Sequence, residues 1–233
     1  MKDIVFGFLG RQWKEWRGTV FFVLFVLVPV KSSLADWNWV PTGSMNPTIL
    51  EGDLVYVDKL AYDLRVPLTF KRVAEWGDPK RGDIVVCFSP EDGIRLVKRV
   101  VGLPGDRLEM RNNLLYVNGE RVPYAELNDE ATLGLEDELI AEAVFAEEYL
   151  GDRSHAVMAL PRVVTDRRDF PEIEVPEGKY FMMGDNRDVS HDSRAYGFID
   201  RAKIIGEAKK VLVSFNILDW YQPRFERFWI DLK

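Results

Sequence analysis

At 233 residues, with 47% hydrophobic and 30% charged side chains, the chain can bury a sizeable core, which excludes an intrinsically disordered protein. Its formal net charge of −7 excludes a general nucleic-acid binder, because phosphate neutralisation needs clustered Lys and Arg and the basic residues here are scattered. A single cysteine, Cys87, excludes an intrachain disulfide and cannot by itself make a thiolate metal site, so the redox compartment stays open.

The first element is the uncharged run Val20 to Val30, VFFVLFVLVPV. A bilayer core takes about 20 apolar residues, so eleven also fit a signal-peptide h-region, with Ser33 and Ala35 as small residues for a cut. A buried core helix would show polar positions at helical spacing, and this run has none. Gly18, Thr19, Ser32, Ser33, Leu34 and Ala35 can lengthen the helix, Lys31 can snorkel, and Trp37 and Trp39 suit the interface. The favoured reading is therefore a single transmembrane helix. Lys2, Arg11, Lys14 and Arg17 precede the run and only Lys31 follows closely, so the N-terminus is expected in the cytoplasm and everything from about Asp36 outside.

Beyond the run, short β-branched segments are bounded by Gly-Asp and Pro-Gly turns: GDLVYVDKL, RGDIVVCF, IRLVKRVVGLPGD and LLYVNGERV. Few amphipathic helices intervene. The expected fold is mainly β, an antiparallel β-sheet domain behind one N-terminal transmembrane helix. The expected organisation is an anchor over 1–36 and an extracytoplasmic domain over 37–233, with a smaller β-rich insertion at about 106–180. Within that insertion Glu136 to Leu150 carries helix formers, yet Val144, Phe145 and Tyr149 also suit a strand.

Two stretches carry chemistry. Period-2 alternation puts Ile94, Leu96, Lys98 and Val100 on one strand face, and Arg95, Val97, Arg99 and Val101 on the other, where Arg95 and Arg99 are expected to reach solvent. Lys98 then shares an apolar face, where desolvation lowers an amine pKa and makes a base; the bland alternative is a lysine that snorkels or pairs with an aspartate. The second stretch, MGDNRDVSHDSRAYGF from Met183 to Phe198, is too polar for a core strand. Asp and Asn bonding their own backbone, with Arg187 and Arg194 paired to carboxylates, would make a rigid loop, either scaffolding or part of a site. His191 within it also invites a Ser-His-Asp reading.

In order along the chain, PTGSMNPTI from Pro41, GDLVYVDKLAY from Gly52, RGDIVVCF from Arg81, LVKRVVGLPGD from Leu96 and GDNRDVSHDSR from Gly184 resemble the bacterial type I signal peptidases. These are membrane-bound serine-lysine proteases that remove signal peptides from exported proteins. The resemblance covers the anchor and most of the chain except roughly 120–170. It implies Ser44 as nucleophile, Lys98 as general base, Thr42 as a hydroxyl donor to the oxyanion and Ser190 as the group orienting the lysine. It further implies substrate pockets walled by Val40, Met45, Ile49, Leu96 and Val97, and a supporting ion pair between Asp192 and Arg194.

The resemblance requires no metal or cofactor. Its implied partners are signal peptides of exported preproteins and the lipid bilayer, with the secretion machinery as a candidate neighbour and no nucleic acid. Its implied location is the bacterial inner membrane, single-pass, with the catalytic domain on the outer, periplasmic side. Thr42 and Ile49 depart from the serine and leucine often found at those positions. Two alternatives remain at this level: a self-cleaving serine-lysine repressor-type protease, which would need a basic DNA-binding domain, and a non-catalytic membrane-tethered β binding module.

Overall fold

The apolar run forms a helix, α1, over Trp16–Leu34, 19 residues and long and apolar enough to cross a membrane. The computed structural model describes residues 16–69, 71–127, 132–217 and 219–232; Lys2, Arg11 and Lys14, on which the expected orientation partly rests, lie outside them. Phe21, Phe22, Leu24 and Phe25 are all more than half exposed, so α1 is not a core helix. Pro29 offers no N–H to the helical ladder, and wider π-turns flank it at Val23–Leu27 and Val30–Leu34. Ala35, read from sequence as a helix extension, instead opens the first strand.

The strands in the first half are β1 (Ala35–Trp39), β2 (Asp53–Asp58), β3 (Asp63–Arg65), β4 (Arg72–Glu75), β5 (Ile84–Phe88), β6 (Arg95–Gly102), β7 (Arg107–Arg111) and β8 (Leu114–Val117). The remainder are β9 (Glu120–Arg121), β10 (Tyr124–Ala125), β11 (Val144–Leu150), β12 (Arg153–Ala159), β13 (Phe170–Glu174), β14 (Lys179–Met183), β15 (Ile199–Asp200), β16 (Ile204–Asn216) and β17 (Gln222–Pro223). The main sheet runs β1-β2-β16-β5-β6-β14-β15, with β17 beside β16, and every strand pairing is antiparallel. β2 buries alternate residues, as a strand with one core face does, whereas the continuous Ile84–Cys87 run of β5 is buried on both faces.

The stretch 106–180 holds two small sheets, β13-β7-β8-β9 and β10-β11-β12. Glu136 to Leu150 turns out to be both things its composition suggested: a short helix α2 (Asp137–Glu142), then β11. Val101, Phe181 and Met183 of the main sheet pack with Leu108, Met110, Leu115 and Leu150 of the insertion in one buried cluster. The last helix, α3 (Ser193–Tyr196), closes the polar loop and is capped by the Asp192 carboxylate, which accepts from the Arg194 N–H.

Two features of this topology frame the site. Among the described residues, β1 has a strand neighbour on one side only, and β14 pairs with β6 at Arg99 to Gly102, leaving Arg95 to Lys98 bonded to β5 alone. The sheet curls so that Arg95 of β6 donates to Asp36 and Asn38 of β1, each at 3.1 Å. Two unsatisfied strand edges therefore approach one another.

Candidate active site

Ser44 sits on a tight 3₁₀ turn, Gly43–Met45, that follows β1. Its neighbours Met45 and Ile49 are buried, so the turn is nailed to the core by apolar side chains while Ser44 stays partly exposed. Asn186 holds the turn from the polar loop: its backbone N–H donates to the Ser44 carbonyl and its Nδ2 to the Gly43 carbonyl, both at 3.2 Å. Two glycines permit this approach. A Cβ on Gly43 would collide with Glu51 and Asn46, and one on Gly184 with the Ser44 carbonyl and the Ser190 hydroxyl.

Lys98 lies in the middle of β6, opposite Val85 of β5, with Leu96, Val100 and Cys87 in the same apolar cluster. It is 3% exposed. Its Nζ stands 2.7 Å from Ser44 Oγ and donates to the Val97 carbonyl at 3.0 Å; among the described residues no carboxylate pairs with it. Burial pulls its pKa below the usual lysine value, against the opposing charges of Asp192 and Asp185. The snorkelling and aspartate-paired readings of Lys98 therefore fail. The same apolar surroundings push the Cys87 thiol up to about 12, so it stays protonated.

Arg99, expected in solvent, is 1% exposed, because both faces of β6 are buried from Lys98 onward. It binds Asp185 through two parallel 2.8 Å hydrogen bonds, and Thr48 donates to the same carboxylate at 2.6 Å. Burial alone would raise the Asp185 pKa; Arg99 and Thr48 outweigh it and lower it. Asp185 thus ties the strand of Lys98, the segment after Ser44 and the polar loop together.

Asp192 and Arg194 form the expected ion pair, with Nη2–Oδ2 at 2.7 Å and both side chains buried. Asp192 also accepts the Gly184 N–H at 3.0 Å. Burial would raise its pKa, and Arg194 and the Gly184 N–H reverse this and keep it ionised. Ser190 is fully buried beside Gly184, and its Oγ has no hydrogen bond of normal geometry. Thr42 is exposed and extended at the N-terminal edge of the turn, and its side chain makes no capping bond there.

Of the pocket residues, Val40, Met45, Ile49 and Val97 pack in one cluster, whereas Leu96 belongs to the cluster on the Lys98 face. They flank Lys98 from two sides. His191 is about half exposed and pairs with Glu91 at 2.9 Å, and Tyr196 packs edge-on against its ring, so no Ser-His-Asp triad is assembled at Ser44.

Sequence reasoning missed a buried polar chain behind the loop. Arg187 pairs with Glu148 of β11, and His155 of β12 lies 3.4 Å from Glu148 and 3.7 Å from Asp185. Burial, then the Arg99 charge, lowers the His155 pKa, which keeps it neutral. Arg187 was visible in the loop motif; Glu148 and His155 sit in the region that offered no signal.

This arrangement can do one kind of chemistry, nucleophilic attack by a serine hydroxyl beside an amine held free of counter-ions, so fold and site define a β-rich serine hydrolase. The family model described as signal peptidase, peptidase S26, matches residues 13–213, and the chain belongs to this family of signal peptidase serine proteases. It is 37% identical to signal peptidase I of Pseudomonas aeruginosa and 36% identical to that of Pseudomonas fluorescens, each over 225 residues covering 90% of this chain and 74% of the relative. Signal peptidase I of Rickettsia felis is 33% identical over 223 residues, covering 89% of this chain and 82% of the relative. A crystal structure of signal peptidase I from Enterococcus faecalis aligns with 30% identity and a TM-score of 0.35, covering 56% of this chain and 97% of that one. Membership of a peptidase family removes both the repressor and the non-catalytic alternatives.

Proposed function

We propose that the chain is a single-pass membrane endopeptidase that removes N-terminal signal peptides from exported preproteins with a Ser44–Lys98 dyad, its catalytic domain (37–233) on the outer side. The observation that carries this reading is the 2.7 Å approach of a buried, carboxylate-free amine to a serine hydroxyl held on a rigid turn. In the neutral form Lys98 Nζ accepts the Ser44 proton as Oγ attacks the scissile carbonyl carbon. The resulting oxyanion takes hydrogen bonds from the Ser44 N–H and the Thr42 hydroxyl. The Lys98 ammonium then protonates the leaving amine, the new N-terminus of the mature protein. An acyl-enzyme remains. Lys98, neutral again, deprotonates a water that attacks the ester, and the signal peptide leaves with a free carboxylate.

Ser190 and the Asp192–Arg194 pair position Lys98 in this scheme. An extended peptide laid between the open edges of β1 and the first half of β6 would add a strand to both and bring its carbonyl to Ser44. Val40, Met45, Ile49, Leu96 and Val97 would then line shallow apolar pockets that take small side chains. Anchoring by α1 places enzyme and substrate at one membrane surface.

The test is processing of a preprotein by the purified full chain in detergent, with Ala or Leu just before the cut. Ala is expected to be cleaved at least about tenfold faster, the scale of a few methylenes in a closed pocket. Equal rates would remove the pocket assignment, and no cleavage of either would remove the substrate class.

A further inference from the structure

At the point where α1 ends and β1 begins, a cavity of about 510 Å³ opens between the helix, the β3–β4 hairpin and the sheet. Its polar lining is one-sided: Lys31, Lys59, Arg65 and Arg95 against one carboxylate, Asp36. A chain of net charge −7 does not make such a surplus by composition. The four cations divide their work. Lys59 is buried and donates to the Lys31 and Ser32 carbonyls at the end of α1 while pairing with Asp36, so it neutralises the negative helix end and fixes the frame. Arg65 is held by Asp63 and by the Ile204 carbonyl. Lys31 and Arg95, with side chains 49% and 46% exposed, share Asp36 at 3.9 and 3.1 Å; Arg95 also donates to Asn38 and Lys31 lies over the Trp37 ring, and both cations remain open to solvent.

The other walls are apolar, with Val28, Leu68 and Ile205. Val28 lies six residues before the helix end, about 9 Å deeper along the axis at 1.5 Å per residue. With α1 in a bilayer, the cationic rim stands at headgroup level and the apolar wall at the top of the acyl chains. We propose that this cavity binds the phosphate of an anionic phospholipid of the outer leaflet, held by Lys31 and Arg95, with its glycerol and first methylenes against Val28 and Leu68. The inference rests on the anchoring of α1 in a membrane. Such a bound lipid fixes the height and tilt at which the turn of Ser44 faces the bilayer.

The experiment is native mass spectrometry of the full chain released from detergent after incubation with equal amounts of phosphatidylglycerol and phosphatidylcholine. Retention of phosphatidylglycerol over phosphatidylcholine by about tenfold is expected from two interfacial cations. Lys31→Gln with Arg95→Gln should bring the two lipids to parity, while Lys31→Arg with Arg95→Lys should keep the preference. Circular dichroism checks that each variant is folded, and Lys31→Gln alone serves if the double variant melts early. No preference in the parent chain, or a full preference in the neutralised variant, would overturn the proposal. Displacement of the lipid by millimolar inorganic phosphate would also overturn it, making the cavity a free-anion site. Alkaline carbonate extraction of membranes tests anchoring separately: release of the chain would defeat the membrane reading itself, whatever the cavity binds.

Discussion

Lys98 and Arg99 are consecutive residues of one strand, both cationic and both buried to within 3% of full, yet they occupy opposite electrical situations. Arg99 meets Asp185 in a bidentate pair and also donates to the Gly82 carbonyl, so its charge is matched on the spot. Among the described residues, Lys98 hydrogen-bonds only to a hydroxyl and a carbonyl oxygen. Burial of a guanidinium, which cannot lose its proton, demands a counter-ion; burial of an amine without one favours proton loss. On the proposed mechanism the strand thus holds a structural cation on one face and a base on the other.

The sharpest way to break this contrast is to remove each cation in turn. Lys98→Met should abolish preprotein cleavage, by about a thousandfold or more, with stability unchanged or raised, because a desolvated amine is replaced by an apolar chain of similar length. Ser44→Ala should match that loss of activity. Lys98→Arg should be equally inactive, since a guanidinium cannot accept the serine proton. Next in size, Arg99→Met should cost about 3–5 kcal/mol of unfolding free energy, because Asp185 is left buried without its partner. Denaturant titration of the two methionine variants in one detergent compares them directly. If Arg99→Met is as stable as Lys98→Met, the assigned difference between the faces is wrong.

Much of this was legible in sequence. Gly-Asp and Pro-Gly turns bracket β2, β5 and β6 closely, and alternation alone put Lys98 on an apolar face. The same alternation failed for Arg99, because a charged residue in a strand reads as solvent-facing unless its partner is known, and Asp185 lies 86 residues later. Nor could Ser44 be found from local pattern, since its proximity to Lys98 spans 54 residues; there the motif resemblance carried the assignment. Trp220, Tyr221, Phe225 and Trp229 are each at least two-thirds exposed, so they do not cap a core, while Arg227 beneath them is buried against Asp53.

Smaller effects sharpen the comparison around Lys98. Ser190→Ala should lower kcat about tenfold with KM little changed, the scale of a lost positioning hydroxyl, because the proposed role of the buried Ser190 is to position Lys98 rather than to bind substrate. Single-turnover kinetics measures this, and an altered KM with intact kcat would assign Ser190 to binding instead. His191→Ala should leave preprotein processing within about twofold of the parent, because its exposed pair with Glu91 is worth little and serves no proton transfer.

The central claim is that Lys98 acts as a neutral amine, and the pH dependence of kcat/KM for preprotein cleavage tests it most directly. Burial lowers the Lys98 pKa, so the ammonium form accumulates only below that lowered value, and activity must fall as pH drops through it. A rising limb is expected with an apparent pKa below the ordinary lysine value of about 10.4, unmoved by His191→Ala. A profile flat across that range, or a limb near the ordinary histidine value of about 6.5 that disappears in His191→Ala, would contradict it.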